Sequence, residues 1–206
     1  MTALRHQNTG YSACTLAHDW EAADGLPSEV AAVLAAHFGV RPELLLALPE
    51  HEVALPGGRR NSQSDLFAVL GIGRDTAAMA VEGKVEESFG PTLAEWGPNS
   101  TPGRTQRLRF LTELLGLPFD LPGSLRYQLL HRTASAVIEA RRFRATHAIM
   151  LVQSYSPALR WFEDFSTFAT LFDVRAEPNC LAAASLPDGM PLHLGWVKGN
   201  PAMLAR

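Results

Sequence analysis

Residues 66–84 read LFAVLGI-GRDT-AAMAVEGK, and the fold turns on how they pair. Two apolar runs, Leu66–Ile72 and Ala77–Val81, flank Gly73, Arg74, Asp75 and Thr76. Short apolar runs separated by a Gly/Asp turn predict a β-hairpin, with Leu66–Ile72 and Ala77–Lys84 as antiparallel strands. The second strand does not stop when its apolar run ends but continues into Glu82, Gly83 and Lys84. Side chains alternate across a strand, so Glu82 and Lys84 share one face while Val81 and Gly83 share the other. A carboxylate and an ammonium therefore stand side by side at the end of a hydrophobic strand. Asp65 opens the first strand, and antiparallel pairing through the turn brings it close to Glu82.

Outward from this hairpin the chain has the composition of a folded α/β domain. It has 206 residues, 47% of them hydrophobic and 19% charged, enough for one domain with a substantial core. No apolar run approaches the roughly 20 residues that span a bilayer. The opening MTALRHQNTGYSACTLAHDW lacks a basic segment followed by an apolar one, which predicts no signal peptide. Cys14 and Cys180 belong to no CxxC pair and are too few for a disulfide scaffold, so the expected address is a reducing cytoplasm.

Charge is unevenly spread. Residues 1–56 carry two Arg against seven acids, whereas residues 104–144 carry eight Arg against three acids. The second stretch is either a phosphate-facing side or a set of solvated helix faces. Of the 18 cations only Lys84 and Lys198 are Lys. A Lys beside Glu82, in a chain that otherwise uses Arg, suggests a need for a compact ammonium.

The remaining elements follow from caps and periodicity. Helices are expected over residues 13–23, over Glu29–Phe38 before Gly39, and over Glu43–Leu48 after Pro42. His51–Leu55 reads as a brief strand, and residues 105–115 as a helix. Residues 124–143 predict a helix capped by Ser124, with Gln128, Arg132, Ser135 and Glu139 on one side. Residues 148–153 (AIMLVQ) read as a buried strand, 158–171 as an amphipathic helix, and 191–197 (PLHLGWV) as a last strand near an edge because of its Pro. The expected fold is a single α/β domain over residues 1–206: an N-terminal helical segment over 1–50, then a mixed central sheet flanked by helices over 51–206.

A helix, a three-stranded meander, a helix and a further strand, with Asp65, Glu82 and Lys84 across the hairpin, resemble the PD-(D/E)xK, or restriction-endonuclease-like, nuclease superfamily. The resemblance aligns Asp65 with the motif's Asp, Glu82 with its second acid and Lys84 with its Lys. Ser64 stands where the motif has Pro. Gln128 matches a Gln that some members present from the following helix, although Arg132 occupies the position where a Tyr is usual. Many members add an N-terminal Glu, for which Glu43 and Glu52 are both candidates. The wording LPGGRRNSQSDL, VEGKVEESFGPTLAEW and RYQLLHRTASA also looks like a family of uncharacterised bacterial proteins.

The nuclease resemblance implies catalysis by Asp65, Glu82, Lys84 and Gln128. It also implies Mg2+ or Mn2+ held by Asp65, Glu82, the Gly83 carbonyl and Glu52, since Mg2+ takes hard oxygen ligands and retains waters. A cation there would activate water and stabilise charge on a phosphodiester, with Lys84 offsetting developing negative charge. Arg126, His131 and Arg132, with Arg59 and Arg60 before the hairpin, would hold flanking phosphates. The expected partner is nucleic acid, DNA ahead of RNA, with a homodimer as a possible assembly and no membrane. The competing expectation is a non-catalytic interaction or regulatory protein on the same scaffold. Other motifs point nowhere sharper. The seven His residues show no zinc spacing with Cys, and no GxSxG elbow is present.

Overall fold

The computed structural model describes residues 12–205; residues 1–11, part of the stretch read above for a leader, lie outside them. Six strands form one mixed sheet: β1 (Glu43–Val53), β2 (Ser62–Ile72), β3 (Asp75–Lys84), β4 (His147–Ser154), β5 (Cys180–Ser185) and β6 (Pro191–Lys198). The helices are α1 (Ser12–Ala22), α2 (Ser28–Phe38), α3 (Leu93–Trp96), α4 (Pro102–Leu115), α5 (Tyr127–Phe143) and α6 (Phe162–Ala169). The strand order is β1-β2-β3-β4-β6-β5. β1, β2 and β3 form an antiparallel meander, β3, β4 and β6 run parallel, and β5 returns antiparallel on β6. The protein is thus α/β with a mixed sheet, as its sequence implies.

The hairpin forms with Leu66 opposite Val81 and Ile72 opposite Asp75. Its turn places Gly73 at φ 62°, a left-handed conformation that glycine adopts without steric cost. Each sheet face buries its own core. Phe67, Val69, Met150, Val152 and Trp196 pack beneath α4, α5 and α6. Leu66, Ala68, Met79, Val81, Ile149 and Leu151 pack beneath α1 and α2. Gly83 falls on the α1 side, where an added Cβ would lie 2.9 Å from the Ser12 carbonyl oxygen. The Gly between Glu82 and Lys84 therefore lets α1 close over the strand end.

Three expectations are corrected or sharpened. Glu43–Leu48 is strand, not helix, and joins the expected strand at His51 into β1, so the N-terminal helical segment ends at α2. The run ELLLALP is compatible with a helix locally, but its backbone pairs with β2 from Glu43–Gly71 to Val53–Ser62, and tertiary pairing overrides propensity. Pro49 and the positive φ of Glu50 are tolerated because β1 is an edge strand. Second, β6 lies near the edge but is not itself the edge strand, being one strand in from it. Pro191 is its first residue, where a missing N–H costs little, and β5 forms the edge instead. Third, α5 begins at Tyr127, and Ser124 does not cap it. Residues 122–125 instead form a turn and Arg126 bridges Thr92, with Leu93 N–H donating to Leu125 O and Tyr127 N–H to Pro91 O. Boundaries shift elsewhere too: α4 starts at Pro102, capped by Thr101, and α6 is confined to Phe162–Ala169.

Candidate functional site

Two neighbouring strands and one helix build a charged cluster at the carboxyl end of β3. Asp65 precedes the Leu66–Val81 pair by one residue, so the register sets it opposite Glu82. Its Oδ2 accepts the Gly83 N–H at 2.8 Å. Glu82 is 3% exposed and both of its oxygens are engaged. Oε1 accepts from Lys84 Nζ at 2.9 Å and from Gln128 Nε2 at 2.6 Å. Oε2 accepts from Arg132 Nε at 2.6 Å. Gln128 and Arg132 lie one turn apart on α5, so a single helix face delivers both donors to one carboxylate.

Beneath this cluster a hydrogen-bond network fixes the helix. Arg132 NH1 donates to Ser62 Oγ at 3.1 Å, Ser135 Oγ donates to the same oxygen at 2.8 Å, and His131 Nδ1 stands 2.8 Å from it. Enclosure, then the charges of Arg132 and Arg107, hold the His131 imidazole well below its ordinary pKa, so it is neutral. The two carboxyls differ. Burial, then the charge of Glu82, raises Asp65 to about 7 against the opposing pull of the Gly83 N–H and nearby cations. Burial pushes Glu82 up as well, but Arg132 and Lys84 outweigh it and hold that carboxyl below its usual range.

The cluster opens onto a cleft of about 370 Å³, walled by Glu82, Lys84, Glu87, Phe89, Tyr127 and Gln128 among others. Its position at the carboxyl end of parallel strands is where open α/β sheets present ligands. Lys84 sits with its ammonium 5.0 Å from the Phe89 ring centroid.

Asp65, Glu82, Lys84, Gln128 and Arg132 are thus brought together, and Gly83 joins them through its N–H to Asp65. The other sequence candidates lie apart or are otherwise occupied. Glu52 is exposed on β1, accepting from Asn61 Nδ2 at 2.8 Å, and Glu43 lies at the far end of β1 opposite Gly71. Arg59 and Arg60 are exposed in the β1–β2 loop. Arg126 donates to Asp164 Oδ2 and to Gly90 O, each at 2.8 Å, and so ties α6 to the cleft loop. Arg132 points inward, 8% exposed, rather than toward a ligand surface. As an Arg in the Arg-rich stretch it reads as a phosphate contact, and its bond to Glu82 corrects that expectation. Its spacing with Gln128, Ser135 and Glu139 was the signal that it faces the sheet. Ser62, Phe89 and Tyr127 carried no comparable signal, because what they meet is decided by long-range packing.

A second cluster of titratable groups occupies the opposite end of the sheet. His37 Nε2 lies 3.0 Å from His193 Nδ1, and His193 Nε2 lies 3.1 Å from His147 Nδ1. His147 in turn stands 4.0 Å from Asp75. Burial, then the neighbouring imidazoles, lowers His193 to about 3, and His37 is lowered by burial and by His147. Among the described residues, no group of three or more His, Cys, Asp or Glu converges as a metal cage.

Fold and site together define an α/β protein with a buried, charge-paired cluster beside a cleft. The chain belongs to the family described as a domain of unknown function, DUF6946, which matches residues 1–201. No curated protein and no solved structure matches it. No described helix is long and apolar enough to cross a membrane.

Proposed function

We propose that this protein is a metal-dependent phosphodiester hydrolase acting on nucleic acid, with DNA preferred over RNA. The observation that carries the reading is the meeting of Asp65, Glu82 and Lys84 across the β2–β3 hairpin, with Glu82 and Lys84 lining a cleft. The succession of meander, helix α5 and parallel strand β4 supports it, being the arrangement that the PD-(D/E)xK resemblance implies.

The donor set suits Mg2+ or Mn2+. Two adjacent carboxylates, one of them raised to about 7 partly by the other, form a site whose repulsion a cation relieves. Two carboxylates suffice for a hard cation that keeps several waters, whereas a structural zinc would want nitrogen or sulfur ligands. Asp65 and Glu82 are the residues that would hold it. When bound it supplies Lewis-acid stabilisation of a phosphodiester.

The chain's own residues do the rest. Lys84, locked on Glu82, keeps a compact positive charge at the cleft wall, where negative charge develops on the phosphate. Gln128 fixes the Glu82 carboxylate from the helix side. The Gly83 N–H holds the Asp65 carboxylate against the strand end. Phe89 and Tyr127 supply aromatic surface to the cleft wall.

The test incubates pure protein with Mg2+ or Mn2+ and single- and double-stranded DNA and RNA. Cleavage should need the metal and vanish in Asp65→Ala and Lys84→Ala. Metal-independent cleavage, or cleavage that survives both substitutions, would sink the reading. A second reading, a metal-free binding module, is favoured by Arg132, which already engages a Glu82 oxygen. It requires nucleic-acid binding in chelator with no cleavage under any metal.

A further inference from the structure

Arg132 is clamped, not swinging. Its Nε meets Glu82 Oε2 at 2.6 Å while NH1 meets Ser62 Oγ at 3.1 Å. Ser62 is in turn held by Ser135 and stands against His131. Ser62, Ser135 and Glu82 are each no more than 3% exposed and Arg132 itself only 8%, so the guanidinium is held almost wholly out of solvent. Lys84 takes the other side of the same carboxylate at 2.9 Å.

With Asp65 ionised, as a bound cation requires, two formal negative charges, on Asp65 and Glu82, face two formal positive charges, on Lys84 and Arg132. The cluster is charge-balanced from within. Enclosed groups feel net charge strongly because little water screens them. A divalent cation added alone would leave two uncompensated positive charges in this enclosure. Each phosphodiester brought alongside contributes one negative charge and moves the balance back.

We infer, resting on the metal-dependent reading above, that Arg132 is a built-in counterion that makes cation binding conditional on an anionic phosphodiester strand in the cleft. It is a positioning residue: it acts on the cation through Glu82 and on the strand through the site's net charge. Glu82 keeps one geometry with or without the cation, because Arg132, itself held by Ser62, and Lys84 and Gln128 grip its two oxygens. The site is thereby kept from drawing in free divalent cations, and substrate completes it.

The experiment measures Mn2+ binding by the electron paramagnetic resonance signal of the free ion, at near-neutral pH, with cleavage blocked. The proteins are wild type, Arg132→Gln and Arg132→Lys, each with and without a phosphorothioate-linked oligonucleotide, and each checked by thermal melting. Wild type should bind Mn2+ at least about ten-fold more tightly with the oligonucleotide present, within the usual range of coupling between sites. Arg132→Gln should bind Mn2+ alone at least about ten-fold more tightly than wild type and gain little from the oligonucleotide. Arg132→Lys, which keeps the charge, should follow wild type. Mn2+ binding to wild type that is tight without oligonucleotide, and unchanged in Arg132→Gln, overturns the inference and leaves the metal reading standing. Absence of Mn2+ binding in every protein, with or without oligonucleotide, overturns both. If Arg132→Gln does not fold, wild type and Arg132→Lys decide: failure of the oligonucleotide to tighten Mn2+ binding in them overturns the inference.

Discussion

The two ends of the central sheet solve the burial of titratable groups in opposite ways. At the carboxyl end of β3, Glu82 stays ionised because Lys84 and Arg132 surround it. At the other end, roughly 17 Å away by strand rise from the Ala77–His147 pair to Glu82, three imidazoles meet ring to ring, and burial holds His37 and His193 toward their neutral forms. Each ring–ring contact is satisfied by one proton between two nitrogens, and a second would set two N–H groups against each other. One end stores paired charge, the other avoids it. Charged pairs can respond to a cation or a polyanion, whereas the neutral row responds to pH.

The largest effect should come from unpairing the charged end. Glu82→Ala leaves Lys84 and Arg132 buried without their carboxylate, and breaking such a pair typically costs about 3–5 kcal/mol. Thermal melting should show a drop of roughly 6–20 °C at about 2–4 °C per kcal/mol for a chain of this size. A drop of only a degree or two would show that the cations find other partners and that the contrast between the ends is weak.

At the histidine end the effect is smaller and depends on pH. The folded pKa of His193, about 3, lies below the unfolded value of 6.5. Its neutral form therefore contributes stability in full above pH 6.5, and that contribution is lost as pH falls toward 3. His37 and His147 face it, His147 in turn standing beside Asp75, and His37 shifts in the same sense. Relative to wild type, His193→Gln should gain about 2 kcal/mol between pH 7 and pH 5. Parallel melting curves of the two proteins across that range would remove the switch.

Asp65 pulls the other way over the same range. Its folded pKa, about 7, lies above the ordinary carboxylate value of 3.8, so its contribution is present below 3.8 and lost as pH rises through 7. In chelator, Asp65→Asn should be more stable than wild type at pH 8, by roughly 1–3 kcal/mol, and nearly equal to it at pH 4. Equal melting of the two proteins at pH 8 would mean that Asp65 ionises without cost. The same substitution should abolish cleavage, so stability and activity part company at this residue.

The smallest effect sets the baseline. Arg141 and Asp188 pair at 2.7 Å with both side chains over 40% exposed, and Arg141→Ala should change stability by less than about 0.5 kcal/mol. A loss near that of Glu82→Ala would show that pairing itself, rather than burial, governs the charged end.

Much of this site was legible in the residues. Alternation along AAMAVEGK places Glu82 with Lys84, and the turn at Gly73 sets Asp65 across from them, because strand period and hairpin register are local properties. The side of α5 that carries Gln128, Arg132 and Ser135 followed from helical spacing alone. What Arg132 touches did not follow. Its partners Glu82 and Ser62 are 50 and 70 positions away, and an Arg on a helix face reads equally as a phosphate contact or a buried counterion until the sheet is beneath it. The edges of the sheet were also decided only by tertiary structure. ELLLALPEHEV has no strict alternation, and it is a strand because β2 offers it a ladder. CLAAAS becomes β5 only because β6 lies next to it, which places Pro191 inside the sheet rather than at its rim. Local sequence determines where side chains point along an element; which element lies opposite depends on long-range pairing and burial, and those determined the charge state of the site.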